Sequence, residues 1–224
     1  MKRRIKFDSA ILSFLIIVTG FLYLNKKFFL ITPFFDNALD FLGFLVILKG
    51  IFLRMAARGH KKAHSGQGGR LVMTGPYAVV RNPMYLGSFL MGAGFILMLW
   101  PWWSLPFFAL LFYLRFNRQI IKEESRLSEF FGEGFAVYCK KTPRLFPSLR
   151  FMKATKVKDI LNLKEAFSTK ERRGLLAWPA LAIGLETFQE SVVFGGTDIR
   201  RTLCLFLAAA LVFAISFWFF DRYG

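Results

Sequence analysis

The sequence is poor in cysteine and histidine. It holds two cysteines, Cys139 and Cys204, and two histidines, His60 and His64. The cysteines show no CxxC or other metal-binding spacing, which argues against a disulfide framework and against a zinc site. The histidines are four residues apart, but we expect them in a loop rich in Lys and Gly, without a carboxylate or thiol nearby. No metal site is therefore predicted.

Acidic residues are also scarce. The chain has 14 Asp and Glu against 31 Lys and Arg, a net charge of +17, and 55% apolar residues. This combination excludes a disordered tail and an ordinary soluble domain. Basic residues between long apolar runs fit the positive-inside rule and anionic lipid better than nucleic acid, for which no motif is present. We expect an integral membrane protein whose partner is the lipid bilayer and not nucleic acid; the oligomeric state is left open.

The apolar runs predict an all-α, polytopic membrane protein of about five or six helices. Met1 to Lys6 is basic and precedes the first run, Ile11 to Leu24, which lacks a cleavage site and is interpreted as an uncleaved helix. The next predicted helices are centred on Phe41 to Leu53, Met84 to Trp100 and Ser104 to Phe116. The last two should form a hairpin through the aromatic turn Trp100 to Trp103.

The loop from Arg54 to Gly69 is predicted to be cytoplasmic because it is rich in Arg and Lys. Ser88 and Gly92 form a small-xxx-small pair in the third helix, and with Gly87 and Gly94 they should allow a neighbouring backbone to approach closely. We divide the chain into N-terminal helices (1–56), a core (57–150) and a C-terminal part (151–224).

The chain from Arg144 onward has three further features. Arg144 to Arg173 is either an amphipathic stretch at an anionic interface, with Val157, Ile160, Leu161 and Phe167 as its stripe, or a solvated linker. In Leu175 to Val193, Glu186 and Glu190 share one helical face, so the segment either packs them inward or lies at the membrane interface. Leu203 to Phe220 is apolar and long enough to span.

The stretch Leu71 to Tyr85 is the one around which the chain is organised. Gly75-Pro76 and Asn82-Pro83 each force a turn, and Tyr77 and Arg81 lie between the two turns. The two turns thus hold Tyr77 and Arg81, which can bind a planar or charged ligand, close to the start of a helix. The other interpretation is that Tyr77, Tyr85 and Arg81 are ordinary interface anchors.

A pair of carboxylates, Glu123 and Glu124, follows the predicted hairpin. The hairpin returns the chain to the cytoplasmic side, so this pair can meet the Leu71 to Tyr85 stretch. The alternative is a solvated helix face that pairs with Arg118 or Arg126 at helical spacing.

The sequences TGPYAVVRNPMYLG (74–87) and EESRLSEFFGEGFAVY (123–138) together resemble the membrane-embedded methyltransferases related to isoprenylcysteine carboxyl methyltransferase and the phospholipid N-methyltransferases. The resemblance covers roughly Leu71 to Pro147 and implies S-adenosylmethionine bound at the cytoplasmic face. Position by position, the resemblance implies that the cofactor is contacted by Leu71, Val72, Tyr77, Pro83, Met84, Tyr85 and Glu123. To these candidates we add Asn82 and Glu124.

Two positions depart from the family pattern. Asn82 stands where the best-known members have His, and Gln119 stands where eukaryotic members have a substrate-binding Arg, with Arg118 beside it. We take Arg118 and Arg81 as the candidate catalytic residues. The departures leave the methyl acceptor open, and we expect a protein that is not a specialist for prenylated-cysteine carboxylates.

The chemistry of the residues agrees with the resemblance. S-adenosylmethionine carries a sulfonium, an ammonium and a carboxylate, which call for a carboxylate, a guanidinium and aromatic faces. The predicted function is methyl transfer to the carboxylate, thiol or amine of an isoprenoid or lipid. Because few histidines are available as general bases, a carboxylate or thiolate acceptor is easier to explain. The alternative is a non-enzymatic membrane protein that keeps the fold for lipid or partner binding.

Overall fold

The computed structural model describes residues 14–29, 33–147 and 162–196, together with 207, 211 and 214, and these ranges contain helices and turns but no strand. The prediction of an all-α fold is thereby confirmed for them. In the same ranges, no helix combines the length and the apolar character needed to cross a membrane. The helices are α1 (14–24), α2 (Pro33–His64), α3 (Pro76–Val79), α4 (Pro83–Leu99), α5 (Leu105–Phe131), α6 (Glu133–Lys141), α7 (Leu163–Phe167) and α8 (Gly174–Phe194).

The central contact of the fold is between α2 and α4, which run antiparallel with glycine facing glycine. A Cβ atom built on Gly50 would lie 2.6 Å from the carbonyl oxygen of Gly87, and one on Gly43 would lie 2.7 Å from that of Gly94. Both pairs are spaced by a heptad, two helical turns, so they lie on one face of each helix. Small residues at these positions let the two backbones meet. The predicted close approach therefore uses Gly87 and Gly94.

The main core is built on the same helix α2. Phe44, Ile47, Ile51 and Met55 recur at helical spacing and are buried with side chains of α4 and α8. Phe167 of α7 joins this core. The expectation that Phe167 belongs to a lipid-facing stripe is therefore wrong, because its ring is packed inside the protein.

Two helices, α2 and α5, are longer than predicted. Residues 54–64, predicted as loop, continue α2 to His64. The first of their basic side chains binds a residue far along the chain. The Arg54 guanidinium donates to both carboxylate oxygens of Glu171, at 3.2 Å each. Helix α5 continues past Phe116 to Phe131, so Glu123 and Glu124 lie on the hairpin helix itself. It ends at Gly132, whose φ of +53° favours glycine.

Other expectations agree with the structure. The third helix and the aromatic turn after it are confirmed, since α4 ends at Leu99 and a single 3₁₀ turn, Trp102–Ser104, leads into α5. The hairpin is closed by ring contacts such as those of Phe89 with Phe108 and Phe112. In α8, Glu186 and Glu190 are packed inward, with exposed fractions of 2% and 7%.

Three expectations concern residues outside the described ranges. They are the basic start Met1 to Lys6, the stripe residues Val157, Ile160 and Leu161, and most of Leu203 to Phe220, of which Leu207, Leu211 and Ala214 are helical. The division of the chain into three parts stays a prediction.

We expect Gly50→Ala to destabilise the protein by about 1–3 kcal/mol, because the added methyl group would force α2 away from α4. Gly184→Ala in α8 is the matched control, since no described atom lies within 4 Å of its Cβ position. The control should stabilise by about 0.5–1 kcal/mol through helix propensity. Chemical denaturation of both variants measures the difference; equal changes would contradict the packing.

Candidate functional site

The loop between α2 and α4 forms the floor of the candidate site. Gly75 has φ of +59° and packs against the His60 ring, where a Cβ would lie 2.8 Å from Nε2. Pro76 then opens the single-turn helix α3 and Pro83 opens α4, in each case at the first turn, where a missing N–H costs nothing. Tyr77 and Arg81 are held between these two turns, as the sequence predicted.

Two neighbouring cavities share this floor. Their volumes are about 140 and 190 Å³. Both are lined by Lys61, Tyr77, Arg81, Asn82 and Leu127. The first adds Leu71, Val72, Glu124, Phe131, Phe135 and Tyr138 together with Ser65, Gly68 and Arg70; the second adds Arg58, Pro83, Met84, Tyr85 and Glu123.

All nine candidate cofactor residues line one or both of these cavities. Arg81, one of the two candidate catalytic residues, does so as well. Arg118, the other, is exposed on α5 and lies outside the lining of both cavities. A role for Arg118 at this site is therefore not supported by its position. The roles of the remaining residues stay predictions.

Glu124 is the electrostatic centre of the first cavity. It is 9% exposed, so the interpretation as a solvated helix face is wrong for this residue. Its carboxylate accepts from the Arg144 guanidinium at 2.7 and 3.0 Å and lies 3.2 Å from Nη1 of Arg81. Asn82 Nδ2 also donates to it, at 3.2 Å. Four interactions thus tie α5, the loop before α4 and the segment after α6 together.

Glu123 faces the second cavity and has different partners. The Tyr85 hydroxyl donates to its Oε1 at 2.7 Å, and Gln119 Nε2 donates to the same atom at 3.0 Å. Neither partner carries a charge, so the carboxylate is oriented without being neutralised. A cationic ligand group in the second cavity would find it available.

Two tyrosines form the wall between the loop and α6. The Tyr138 hydroxyl donates to the backbone carbonyl of Tyr77 at 2.6 Å. Burial raises the pKa of Tyr77 to about 12, with the Glu123 carboxylate adding to the effect and Arg58 opposing it. Burial likewise raises the pKa of Tyr138. Both phenols therefore stay protonated and neutral at physiological pH.

Arg81 joins the loop to α6 and to the segment that follows. Its Nη1 lies 2.7 Å from Cys139 Sγ, and its backbone N–H donates to the carbonyl of Pro143 at 2.9 Å. Its side-chain Nε is buried and has no hydrogen-bond partner among the described residues. A buried donor of this kind is costly unless it meets an acceptor, so an anionic ligand group would be stabilised here.

A third cavity of about 120 Å³ lies on the other side of Arg144. Most of its lining is apolar, and its polar residues are Tyr113, Asn117 and Arg144, whose Nη1 lies 3.5 Å from Asn117 Oδ1. The lining comprises Phe112, Tyr113, Phe116, Asn117, Ile120, Arg144, Leu145 and Phe146. We refer to it as the aromatic groove. It is the one apolar opening beside the candidate site among the cavities described.

Several lining residues were not predicted from the sequence. Phe135 and Tyr138 are three residues apart and so share a helical face, which was a usable signal within the family-like stretch. Lys61 and Ser65 were assigned to a loop. Arg144 was treated as the start of a lipid-binding segment. No local pattern marks Arg144 as the partner of Glu124, which is 20 residues away.

Glu124→Gln should destabilise the protein by about 1.5–3 kcal/mol, because it removes a charge that receives hydrogen bonds from two arginines. Glu129→Gln, an exposed glutamate on the same helix, is the matched control and should change stability by less than about 0.5 kcal/mol. Thermal or denaturant unfolding of the two variants tests this. Equal midpoints would show that the Arg81–Glu124–Arg144 contact contributes nothing.

Comparison with known proteins gives the following matches. A family model described as phospholipid methyltransferase matches residues 38–134. Protein-S-isoprenylcysteine O-methyltransferase of Schizosaccharomyces pombe is 35% identical over 114 residues, which cover 47% of this chain and 48% of the relative. The protein of the same name from Xenopus laevis is 31% identical over 123 residues, covering 51% of this chain and 43% of the relative.

The chain thus spans about half the length of the curated relatives it matches. No solved structure matches. The matched region contains α4, the loop before it and all of α5, with Glu123 and Glu124, and it supplies every lining residue of the two cavities except Phe135 and Tyr138. On these matches, the part of the chain from residue 38 to 134 is similar to the phospholipid methyltransferases, and about half of the chain is similar to the isoprenylcysteine O-methyltransferases.

Proposed function

We propose that the protein transfers the methyl group of S-adenosylmethionine to a lipophilic acceptor at a membrane surface. The observation that carries the proposal is the gathering of all nine family-like cofactor positions, with Arg81, around two adjoining cavities. These residues come from the α2–α4 loop, from the first turn of α4 and from α5, and most of the apolar helix α4 separates the first two groups from the third in the sequence. The relatives are named as O-methyltransferases.

The residues present fit this cofactor. The unpartnered, buried Nε of Arg81 suits a carboxylate. Glu123, oriented by two neutral donors, suits an ammonium group or a hydroxyl. The faces of Tyr77 and Tyr85 can contact a cation, since an aromatic ring attracts positive charge over its face. Leu71 and Val72 give the first cavity an apolar wall.

The cofactor supplies an electrophilic methyl group on a positively charged sulfur. When an anionic acceptor attacks such a group, opposite charges disappear, and a pocket poor in water favours that change. The protein's part is to hold both reactants in line and to exclude water. The tyrosines do so without ionising, because burial keeps their pKa values high. No histidine lines the three described cavities, so an acceptor that is already anionic is favoured.

The aromatic groove is the proposed acceptor site. It would accommodate an isoprenoid or acyl chain, whose burial contributes about 0.8 kcal/mol per methylene. Arg144 stands at the end nearest Glu124 and would meet an anionic headgroup. The face of α4 that carries Ser88 and Gly92 offers no comparable opening: Arg54 donates to Ser88, and the Phe108 ring covers Gly92.

The exposed apolar surface supports association with a bilayer. Phe107, Leu110, Leu111 and Leu114 lie along one face of α5 and are all exposed. An apolar face of this size on a single chain marks contact with lipid or protein. The basic end of α2, with Arg58, Lys61 and Lys62, would face the cytoplasm by the positive-inside rule.

The direct test is incubation of the purified protein with methyl-labelled S-adenosylmethionine and a total lipid extract, followed by identification of the labelled species. Glu123→Gln should weaken cofactor binding at least about tenfold, because one charge-assisted contact is lost. Glu129→Gln, the same change on the same helix, should bind normally. Calorimetry measures both affinities.

Normal binding by Glu123→Gln would remove Glu123 from the site. Lipid binding without any labelled product, under conditions where the cofactor binds, would favour the non-enzymatic alternative.

A farnesylated-cysteine analogue should not be strongly preferred over small lipidic acids, because Gln119 occupies the position of the family's substrate-binding Arg and contacts Glu123 instead. Relative rates with a panel of lipidic acids, thiols and amines test this expectation. A clear preference for the farnesylated analogue would show that Gln119 does not alter acceptor choice.

A further inference from the structure

Outside the cavities, two histidines and a carboxylate form a compact cluster. His60 and His64 lie one turn apart at the end of α2, and Glu165 reaches them from α7. One ligand atom from each residue can be chosen so that all three lie within 4.8 Å of one another. The expectation that no carboxylate approaches these histidines is therefore wrong. A partner more than 100 residues away could not be read from the local sequence.

The distance between His60 and Glu165 is close to that between two ligands of one metal ion. Glu165 Oε2 lies 3.0 Å from Nδ1 of His60, and Oε1 lies 3.8 Å from Nδ1 of His64. Ligands about 2.0–2.1 Å from a tetrahedral zinc ion are about 3.3 Å from one another. His60 and Glu165 therefore need only small movements to coordinate one ion, whereas His64, whose ring is stacked on that of His60, would turn to present Nε2 to it.

The hydrogen bonds around the rings already orient them. Nε2 of His60 lies 2.9 Å from Thr74 Oγ1, which leaves Nδ1 facing Glu165. Nδ1 of His64 donates to the backbone carbonyl of His60 at 3.0 Å, which leaves Nε2 with a free lone pair. A second partner that fixes one ring nitrogen is the usual feature of metal-binding histidines. The contact between Nδ1 of His60 and the carboxylate is made either by the N–H hydrogen of a neutral imidazole or by a metal ion that takes the place of that hydrogen.

We propose that His60, His64 and Glu165 bind a divalent transition metal ion of the zinc class, with water as a further ligand. Two imidazoles and one carboxylate suit zinc and disfavour calcium or magnesium, which prefer oxygen ligands. The His64 side chain is 47% exposed, so the ion would have access to solvent.

The metal ion would act as a clasp between three segments. The backbone of α7 lies directly against Gly59 of α2, where an added Cβ would clash with the Glu165 carbonyl. Thr74, the partner of His60, directly precedes the Gly75-Pro76 turn of the candidate site. A metal bound here would join α2, α7 and that turn. None of the three ligands lines the cavities, so this inference does not rest on the proposed function.

The test measures zinc in the full chain, purified without a polyhistidine tag and equilibrated with zinc chloride. Wild type should retain about one zinc ion per chain after gel filtration. His64→Ala and Glu165→Gln should each bind at least about tenfold more weakly, since each loses one of three ligands. Lys62→Ala is the matched control: it removes the 3.2 Å contact with the Ser168 carbonyl, a non-ligand link from α2 to the end of α7, and should bind zinc normally.

Equal zinc in wild type and His64→Ala would identify an adventitious ion only and overturn the proposal. So would the absence of retained zinc in wild type. Cobalt(II) titration of wild type alone gives an independent measurement that requires no variant to fold. A visible absorption band of tetrahedral intensity supports the site, and its absence at saturating cobalt contradicts it.

Discussion

The direct backbone contact between α2 and α4 is the constraint on which the rest of the structure depends. Gly43 meets Gly94 and Gly50 meets Gly87, so the two helix axes lie closer than side chains would otherwise permit. That closeness sets the α2 end level with the start of α4. Arg54 then reaches Ser88, and His60 reaches Thr74. The loop carrying Tyr77 and Arg81 is thereby attached at both ends to rigid helices.

The two adjacent glutamates have separate tasks because adjacent positions on a helix point about 100° apart. Glu124 points inward and meets Arg81 and Arg144, so its charge is used to hold segments together. Glu123 points toward the second cavity and accepts hydrogen bonds from two neutral groups, the Tyr85 hydroxyl and the Gln119 amide. Loss of the Glu124 ion pairs would therefore destabilise the fold, whereas substitution of Glu123 would change which ligands the second cavity can bind.

Local sequence was a good guide wherever the determining contacts are local. The prolines Pro76 and Pro83 mark helix starts, the aromatic turn after Leu99 marks a hairpin, and the glycines of α4 mark a close helix contact. It failed at the end of α2, where the basic run 54–64 was taken for a loop. That run is helical, and its Arg54 and His60 side chains contact Glu171 and Glu165, more than 100 residues later. Such pairings depend on tertiary structure and leave no local pattern.

The candidate site, like the fold, could be predicted only where local sequence determines it. The cofactor-like positions could be named because two short motifs carry them, and the fold then brings those motifs together. Arg118 was chosen for its neighbourhood in the sequence, but α5 turns it outward. Arg144 was not chosen, because its importance comes from the return of the chain after α6 to the side of Glu124. The role of a charged residue can be assigned only when its partner in the fold is known.

Arg144 also links the first cavity to the aromatic groove, since it contacts Glu124 of the cavity and Asn117 of the groove. A lipid carboxylate bound in the groove would compete with Glu124 for this guanidinium. Glu124 would then still have Arg81 and Asn82. Loss of one partner would therefore not leave a buried carboxylate unpaired, which is the outcome that makes breaking a buried ion pair costly. Under the proposed function, the second arginine is what allows Arg144 to be shared with an acceptor.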